Sequence, residues 1–241
     1  LATLLKPFRR EGRMQNGDFV KVSYIGRLES GEIFDLTDET EAKKNNIYNP
    51  NYRYGALPVI VGAGFVIPGL DKALMSMQPG EKKKVTVTPD EGFGQRDPKM
   101  VRVVPQNVFK ERNVEPQQGM VVDFSGVKGR IQSVSGGLIT VDFNNPMAGK
   151  TLEYDLEVVE KIDVAEQQIH AVLDYFGVSP QSVTVADDVT IEGVRLPMEI
   201  KERISYFIVR YVKKDKPVSR VKFVEVFEPK MKEASQEKQT V

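Results

Sequence analysis

The chain contains no cysteine, no tryptophan and one histidine, and it carries no excess of charge of either sign. Each shortage removes a class of chemistry. Without cysteine there is no thiol nucleophile, no disulfide and no thiolate-held zinc or iron–sulfur cluster. A single histidine, His170, cannot supply a two-histidine metal motif, although carboxylate sites for magnesium or calcium stay open. An enzyme of this composition is expected to work without thiol, transition metal or imidazole; the overall expectation is no metal and no cofactor, and His170 reads as a surface or capping residue. The 34 Lys and Arg balance 34 Asp and Glu over 241 residues, so bulk electrostatics gives no support to nucleic acid or an anionic membrane as partner. No apolar run approaches the ~18 to 20 residues that cross a bilayer, and Leu1 to Arg13 has no hydrophobic stretch of signal-peptide length, which together suggest a cytoplasmic protein. Residues 1–13 are set apart as an upstream extension or cloning remnant, because Met14 directly precedes a well-patterned strand.

What remains is an ordinary globular composition, 40% hydrophobic and 28% charged. At roughly 100 to 200 residues per domain the length favours more than one domain. Strand alternation runs from Asp18 to Arg27, with a hairpin through Ser30-Gly31 to Ile33 and Phe34. Residues 37–58 are polar and turn-rich, which predicts a long surface excursion or a small lobe packed by its tyrosines and prolines. Val59 to Val61 is apolar, and Pro68-Gly69 opens a helix with Leu70, Ala73, Leu74 and Met77 on one face, stopped by Pro79-Gly80. Lys82 to Thr88 alternates as a strand into the loop Pro89 to Gly94. Four short β segments then lie between Met100 and Phe143, and Thr151 to Val159 is a final strand with Leu152, Tyr154, Leu156 and Val158 on one face.

Beyond Lys161, Asp163 and Glu166 read as a capping box for a helix with Ile169, Val172, Leu173 and Phe176 as its apolar stripe, ended by Gly177. A hairpin follows at Ser182 to Val194. Pro197 starts a second helix carrying Ile200, Ile204, Phe207, Ile208 and Tyr211, which read as core before dimer face. Lys213 to Lys216 suits a helix C-terminus. A strand at Arg220 to Phe227 precedes a charged tail.

Five blocks in order resemble the FKBP-type peptidyl-prolyl isomerases: Val22-Ser-Tyr-Ile-Gly-Arg-Leu-Glu-Ser-Gly-Glu-Ile-Phe-Asp35, Phe65-Val-Ile-Pro-Gly-Leu-Asp-Lys-Ala-Leu74, Met77-Gln-Pro-Gly-Glu81, Val85-Thr-Val-Thr-Pro-Asp-Glu-Gly-Phe-Gly94 and Thr151-Leu-Glu-Tyr-Asp-Leu-Glu-Val158. Arg102-Val-Val-Pro-Gln-Asn-Val-Phe109, Gly119-Met120 and Asn145-Pro-Met-Ala-Gly149 look like the insert-in-flap domain of SlyD-like and archaeal members. The resemblance implies an α+β fold, an antiparallel sheet wrapped around a short helix. It divides the chain into an isomerase domain at 14–95 and 146–161, an inserted β domain at 96–145, a C-terminal α+β domain at 163–228 and a tail at 229–241.

Matched position by position, the family motif implies a proline pocket lined by Tyr24, Phe34, Asp35, Leu57, Val66, Ile67, Leu70, Phe93 and Tyr154, with the Ile67 N–H offered to a substrate carbonyl. Leu70 stands where stand-alone members often carry Trp, as in the SlyD-like branch, and Phe93 replaces the more usual Tyr. Read without the family, Phe34, Val66, Leu70 and Tyr154 are ordinary core residues and Asp35 a turn cap. For the insert the resemblance implies binding of unfolded chains, with Met100, Val101, Val103, Val104, Val108, Phe109 and Met147 as candidate contacts or as the insert's own core. The expected activity is rotation of X-Pro bonds in unfolded polypeptides, with chaperone action. A non-catalytic holdase on the same fold is the alternative, and a homodimer through the C-terminal domain is a further expectation.

Overall fold

The computed structural model describes residues 12–213 and 217–227. Residues 1–11, Lys214 to Lys216 and everything from 228 on, the tail included, lie outside the described residues. The chain opens with β1 (Phe19–Leu28) and β2 (Ile33–Leu36), turns through α1 (Glu39–Lys44) to β3 (Leu57–Ile60), and passes α2 (Pro68–Leu74) into β4 (Lys82–Val87). Then come β5 (Val101–Pro105), α3 (Gln106–Lys110), β6 (Val121–Phe124), β7 (Val127–Ser135) and β8 (Leu138–Asp142), before β9 (Leu152–Ile162) returns to the first sheet. The chain continues with α4 (Ala165–Tyr175), β10 (Ser182–Val185), β11 (Val189–Glu192), α5 (Met198–Tyr211) and β12 (Val221–Val224).

The first sheet is antiparallel, in the order β2-β1-β9-β4, with β3 on the same edge of β1 as β2. β1 is long enough to be shared. Phe19 to Val22 pair with β3, while Ile25 to Arg27 pair with β2. Leu152, Tyr154, Leu156 and Val158 of β9 are buried as the alternation requires, and α2 lays Leu70, Ala73 and Leu74 on that face. Gly69 lets the helix settle so closely on β4, since a Cβ there would stand 2.7 Å from a Val87 methyl.

The second sheet, β5-β8-β7-β6, has a separate small core of Phe109, Ile131, Ile139 and Val141. The third pairs β10 with β11 as a hairpin and β11 with β12 in parallel, α5 making the connection. Its core is continuous with the first: Ile169, Leu173, Ile204 and Ile208 belong to one cluster with Phe19, Val61 and Phe65. The α5 stripe is thus core, leaving Met198, Tyr206 and Val209 exposed.

Three local expectations are corrected. Residues 37–58 are not all excursion: Asp38 accepts from the Thr40 and Glu41 N–H groups and starts α1, which has acidic residues in its first turn and lysines in its last. Asp163 does not cap α4. β9 runs on to Ile162, Val164 takes the N-cap position without a side-chain bond, and Asp163 faces Lys161. Lys213 reaches away from α5 to Asp18, which is only 2% exposed and also holds Lys161 and the Gln15 N–H. Those contacts outweigh the burial of Asp18 and hold its carboxyl below the usual range.

Candidate active site

The register of β1 against β2 places Gly26 opposite Asp35, and its register against β9 places Gly26 opposite Tyr154. A Cβ on Gly26 would lie 2.9 Å from both the Phe34 and Tyr154 rings, so glycine is what lets those two rings meet across the strand. Phe34 and Tyr154 are edge to face with centroids 5.8 Å apart, and Tyr24 stands edge-on to Tyr154 at the same separation. Thr37 anchors Tyr24 from behind, its hydroxyl accepting from the Tyr24 N–H at 2.9 Å.

Above these rings opens a cavity of about 320 Å³ lined by Tyr24, Asp35, Leu57, Gly64, Phe65, Val66, Ile67, Leu70, Phe93 and Tyr154. Leu70, 3% exposed, and Tyr154, 4% exposed, are the most buried of its lining residues. Its acidic member, Asp35, is tied on both oxygens: Tyr24 donates to one and Tyr52 to the other, each at 2.9 Å. At the rim, Ile67 caps α2 with its carbonyl, which accepts from the Leu70 and Asp71 N–H groups. Its own N–H meets no acceptor among the described residues. Asp71 holds the preceding turn by accepting from Gly62 and Gly64.

Eight of the nine residues assigned to the pocket from sequence therefore share one cavity. Phe34 does not line it. It supports Tyr154 from the side and faces a neighbouring groove with Asp35, Ile47, Tyr52 and Tyr54. Gly64, Phe65 and Tyr52 were not anticipated. Phe65 opens the Phe65 to Leu74 segment, whereas Tyr52 comes from the polar excursion, where only its place among Tyr48 and Tyr54 points to an ordered lobe.

The family model for FKBP-type peptidyl-prolyl cis-trans isomerases matches residues 11–159. The chain belongs to this family. Among similar curated proteins, the short-type peptidyl-prolyl cis-trans isomerase of Methanocaldococcus jannaschii is 38% identical over 145 residues, covering 60% of this chain and 92% of that protein. The SlyD isomerase of Helicobacter pylori is 28% identical over 163 residues, 66% of this chain and 83% of its own. The 16 kDa FKBP-type isomerase of Escherichia coli is 31% identical over 152 residues, 61% and 93% respectively. The chain is accordingly a peptidyl-prolyl isomerase, and its α4 to β12 lie beyond the family match.

In this FKBP-type enzyme the three phenols around Asp35 are held protonated. Burial first and the Asp35 charge second push Tyr52 up to about 12 and raise Tyr24 and Tyr154 further still. The folded protein keeps protons that an unfolded tyrosine releases near pH 10, so stability is lost as pH rises above about 10 and is untouched below it. The expected result is a urea midpoint that is constant from neutrality to about pH 10 and falls beyond it, with no phenolate at Tyr24, Tyr52 or Tyr154 in the folded chain near pH 10 when the tyrosines are followed residue by residue by ¹³C NMR. Phenolate formation at any of these three in the folded chain near pH 10 would contradict this arrangement.

The candidate insert contacts separate. Val103 is 60% exposed, while Met100, Val101, Val104 and Val108 are half-buried, the last two against the insert core. Phe109 is corrected to a core residue: it is 2% exposed and edge-on to Phe124 at 5.7 Å, because α3 folds it over the sheet. Met147 packs on the isomerase core outside the insert. Val121, Val127 and Leu138, not anticipated, are exposed. Among the described residues no helix is long and apolar enough to cross a membrane.

Proposed function

We propose that the cavity over Tyr154 and Leu70 receives the proline ring of an unfolded polypeptide and lowers the barrier to rotation of its X-Pro bond without covalent chemistry. The observation that carries this is the combination of apolar walls, a carboxylate fixed by two phenols and a free N–H at Ile67 on one rim. Uncatalysed rotation faces about 18 to 20 kcal/mol and takes tens to hundreds of seconds. Bringing a 100 s event to 10 ms needs only about 5 to 6 kcal/mol. The planar amide is the more charge-separated state, and twisting removes its resonance. Apolar walls at Leu57, Val66, Leu70 and Phe93 therefore favour the twisted form over the planar one. The Ile67 N–H holds a neighbouring carbonyl, and Asp35, unable to turn, presents a fixed potential to the rotating group. Phe93, carrying no hydroxyl, supplies contact area alone.

A second role is assigned to the insert, capture of unfolded chains. Its support is the exposure of Val103, Val121, Val127 and Leu138 on one small sheet, together with the neck that aims it. There Asp97 and Asn144 exchange two hydrogen bonds, and Arg96 pairs with Asp142 at 2.7 Å. The enzyme and holdase readings part at Phe34. In a protease-coupled proline-tetrapeptide assay, Phe34→Ala removes the ring behind Tyr154 and is expected to lower kcat/KM by about tenfold. A rate no faster than the uncatalysed one in parent and variant alike, with aggregation suppression intact, would instead leave the non-catalytic holdase.

A further inference from the structure

Among the described residues the C-terminal unit contributes nothing to the cavity lining, yet the end of α4 touches both segments that border it. Tyr175 donates from its hydroxyl to the Phe65 carbonyl at 3.1 Å. Its ring lies 4.2 Å from that of Phe65, and Phe207 of α5 packs edge to face on the same ring at 4.7 Å. One residue earlier, Asp174 takes the Arg53 guanidinium on its carboxylate at 3.0 Å and on its carbonyl at 3.3 Å. Arg53 follows Tyr52, the residue bonded to Asp35.

From this we infer that Tyr175 is a positioning residue for proline binding and that the C-terminal unit serves the isomerase site as its brace, an inference that rests on the pocket reading above. The Phe65 carbonyl belongs to the same peptide group as the Val66 N–H. Fixing that plane fixes the chain leading directly into Ile67, whose N–H faces the substrate. The turn before it needs fixing, because Gly62 and Gly64 both sit at positive φ, +75° and +73°, where glycine gives the backbone unusual freedom. Asp71 restrains the turn at its start, and Tyr175 restrains it at its end. A loop held at both ends gives up less entropy when substrate binds.

The test uses the full-length protein and a proline tetrapeptide. Tyr175→Phe keeps the ring and removes only the hydroxyl. KM is expected to rise about three- to tenfold with kcat nearly constant, as for a binding hydrogen bond weakened through its support. The amide ¹H–¹⁵N signals of Val66 and Ile67 are expected to move. Val189→Ala, buried on β11 of the third sheet, is the control for general loosening and is expected to lower stability while leaving KM alone. Asp35→Ala is measured alongside. If Asp35→Ala impairs the enzyme while Tyr175→Phe alters neither KM nor those amide signals, the brace is overturned and the pocket stands. If neither substitution has an effect, the pocket reading falls and the brace with it. Val189→Ala raising KM as much as Tyr175→Phe also overturns positioning by Tyr175.

Discussion

Asp35→Ala is expected to reduce kcat/KM toward a proline tetrapeptide by about ten- to a hundredfold with little change in secondary structure. The carboxylate ends two charge-assisted hydrogen bonds, from Tyr24 and Tyr52. Such bonds are each worth about 1.5 to 3 kcal/mol when buried, and the partial exposure of Tyr52 discounts the second. A hundredfold loss corresponds to about 2.7 kcal/mol, within reach of these bonds. Alanine also releases Tyr52 and with it the tyrosine lobe, which loses its tie to β2. Asp35→Asn retains one acceptor oxygen and is expected to fall between the two. A rate within twofold of the parent would remove Asp35 from the mechanism.

Removing residues 96–145 is expected to leave tetrapeptide turnover within about twofold but to slow proline-limited refolding of a protein substrate by one to two orders of magnitude and to abolish suppression of aggregation. Excision is feasible because the two strands of the neck already meet: the Gly149 N–H donates to the Gly94 carbonyl at 2.8 Å, and Asp97 and Asn144 are cross-bonded. A short linker therefore replaces the insert without moving Phe93. The size of the effect follows from effective concentration, since a chain held on a nearby arm meets the pocket at roughly millimolar levels however dilute it is in solution. Refolding as fast as with the intact enzyme would deny the insert any part in catalysis on proteins. Loss of tetrapeptide turnover would show that the insert shapes the pocket itself.

The site was legible only through the family resemblance, whose blocks are continuous in sequence; pattern and spacing by themselves read Phe34, Val66, Leu70 and Tyr154 as core and Asp35 as a turn cap. Tyr24 and Tyr154 lie on strands with clear alternation, Asp35 on the four-residue β2, and Val66, Ile67 and Leu70 on a loop and helix announced by Pro68-Gly69. What escaped depended on contacts between distant segments or on short elements. The helix α1 has six residues and buries only Ala42, too little for an apolar stripe, so its start signal at Asp38 was the sole local cue. Phe109 carries the same composition as a surface anchor, and only the folding of α3 over its sheet turns it inward. Tyr52, Asp174 and Tyr175 act across long separations that no periodicity encodes. Asp163 shows the reverse error, a capping pattern present in sequence but displaced when β9 kept its pairing to Ile162.

The pairing of β1 with β9 also sets an order in time. Arg27 and Asp155, bonded across the sheet, are 128 residues apart, and Tyr154 reaches Gly26 over a similar span. A ribosome releasing this chain from its N-terminus thus delivers Tyr24, Asp35 and all of the insert before the wall of the pocket exists. The insert's sheet closes within its own segment, and once formed it brings Gly94 and Gly149 together, shortening the loop that β9 must close and lowering its entropic cost. The small second sheet is complete before the first sheet that flanks it, and its own folding helps β9 into place.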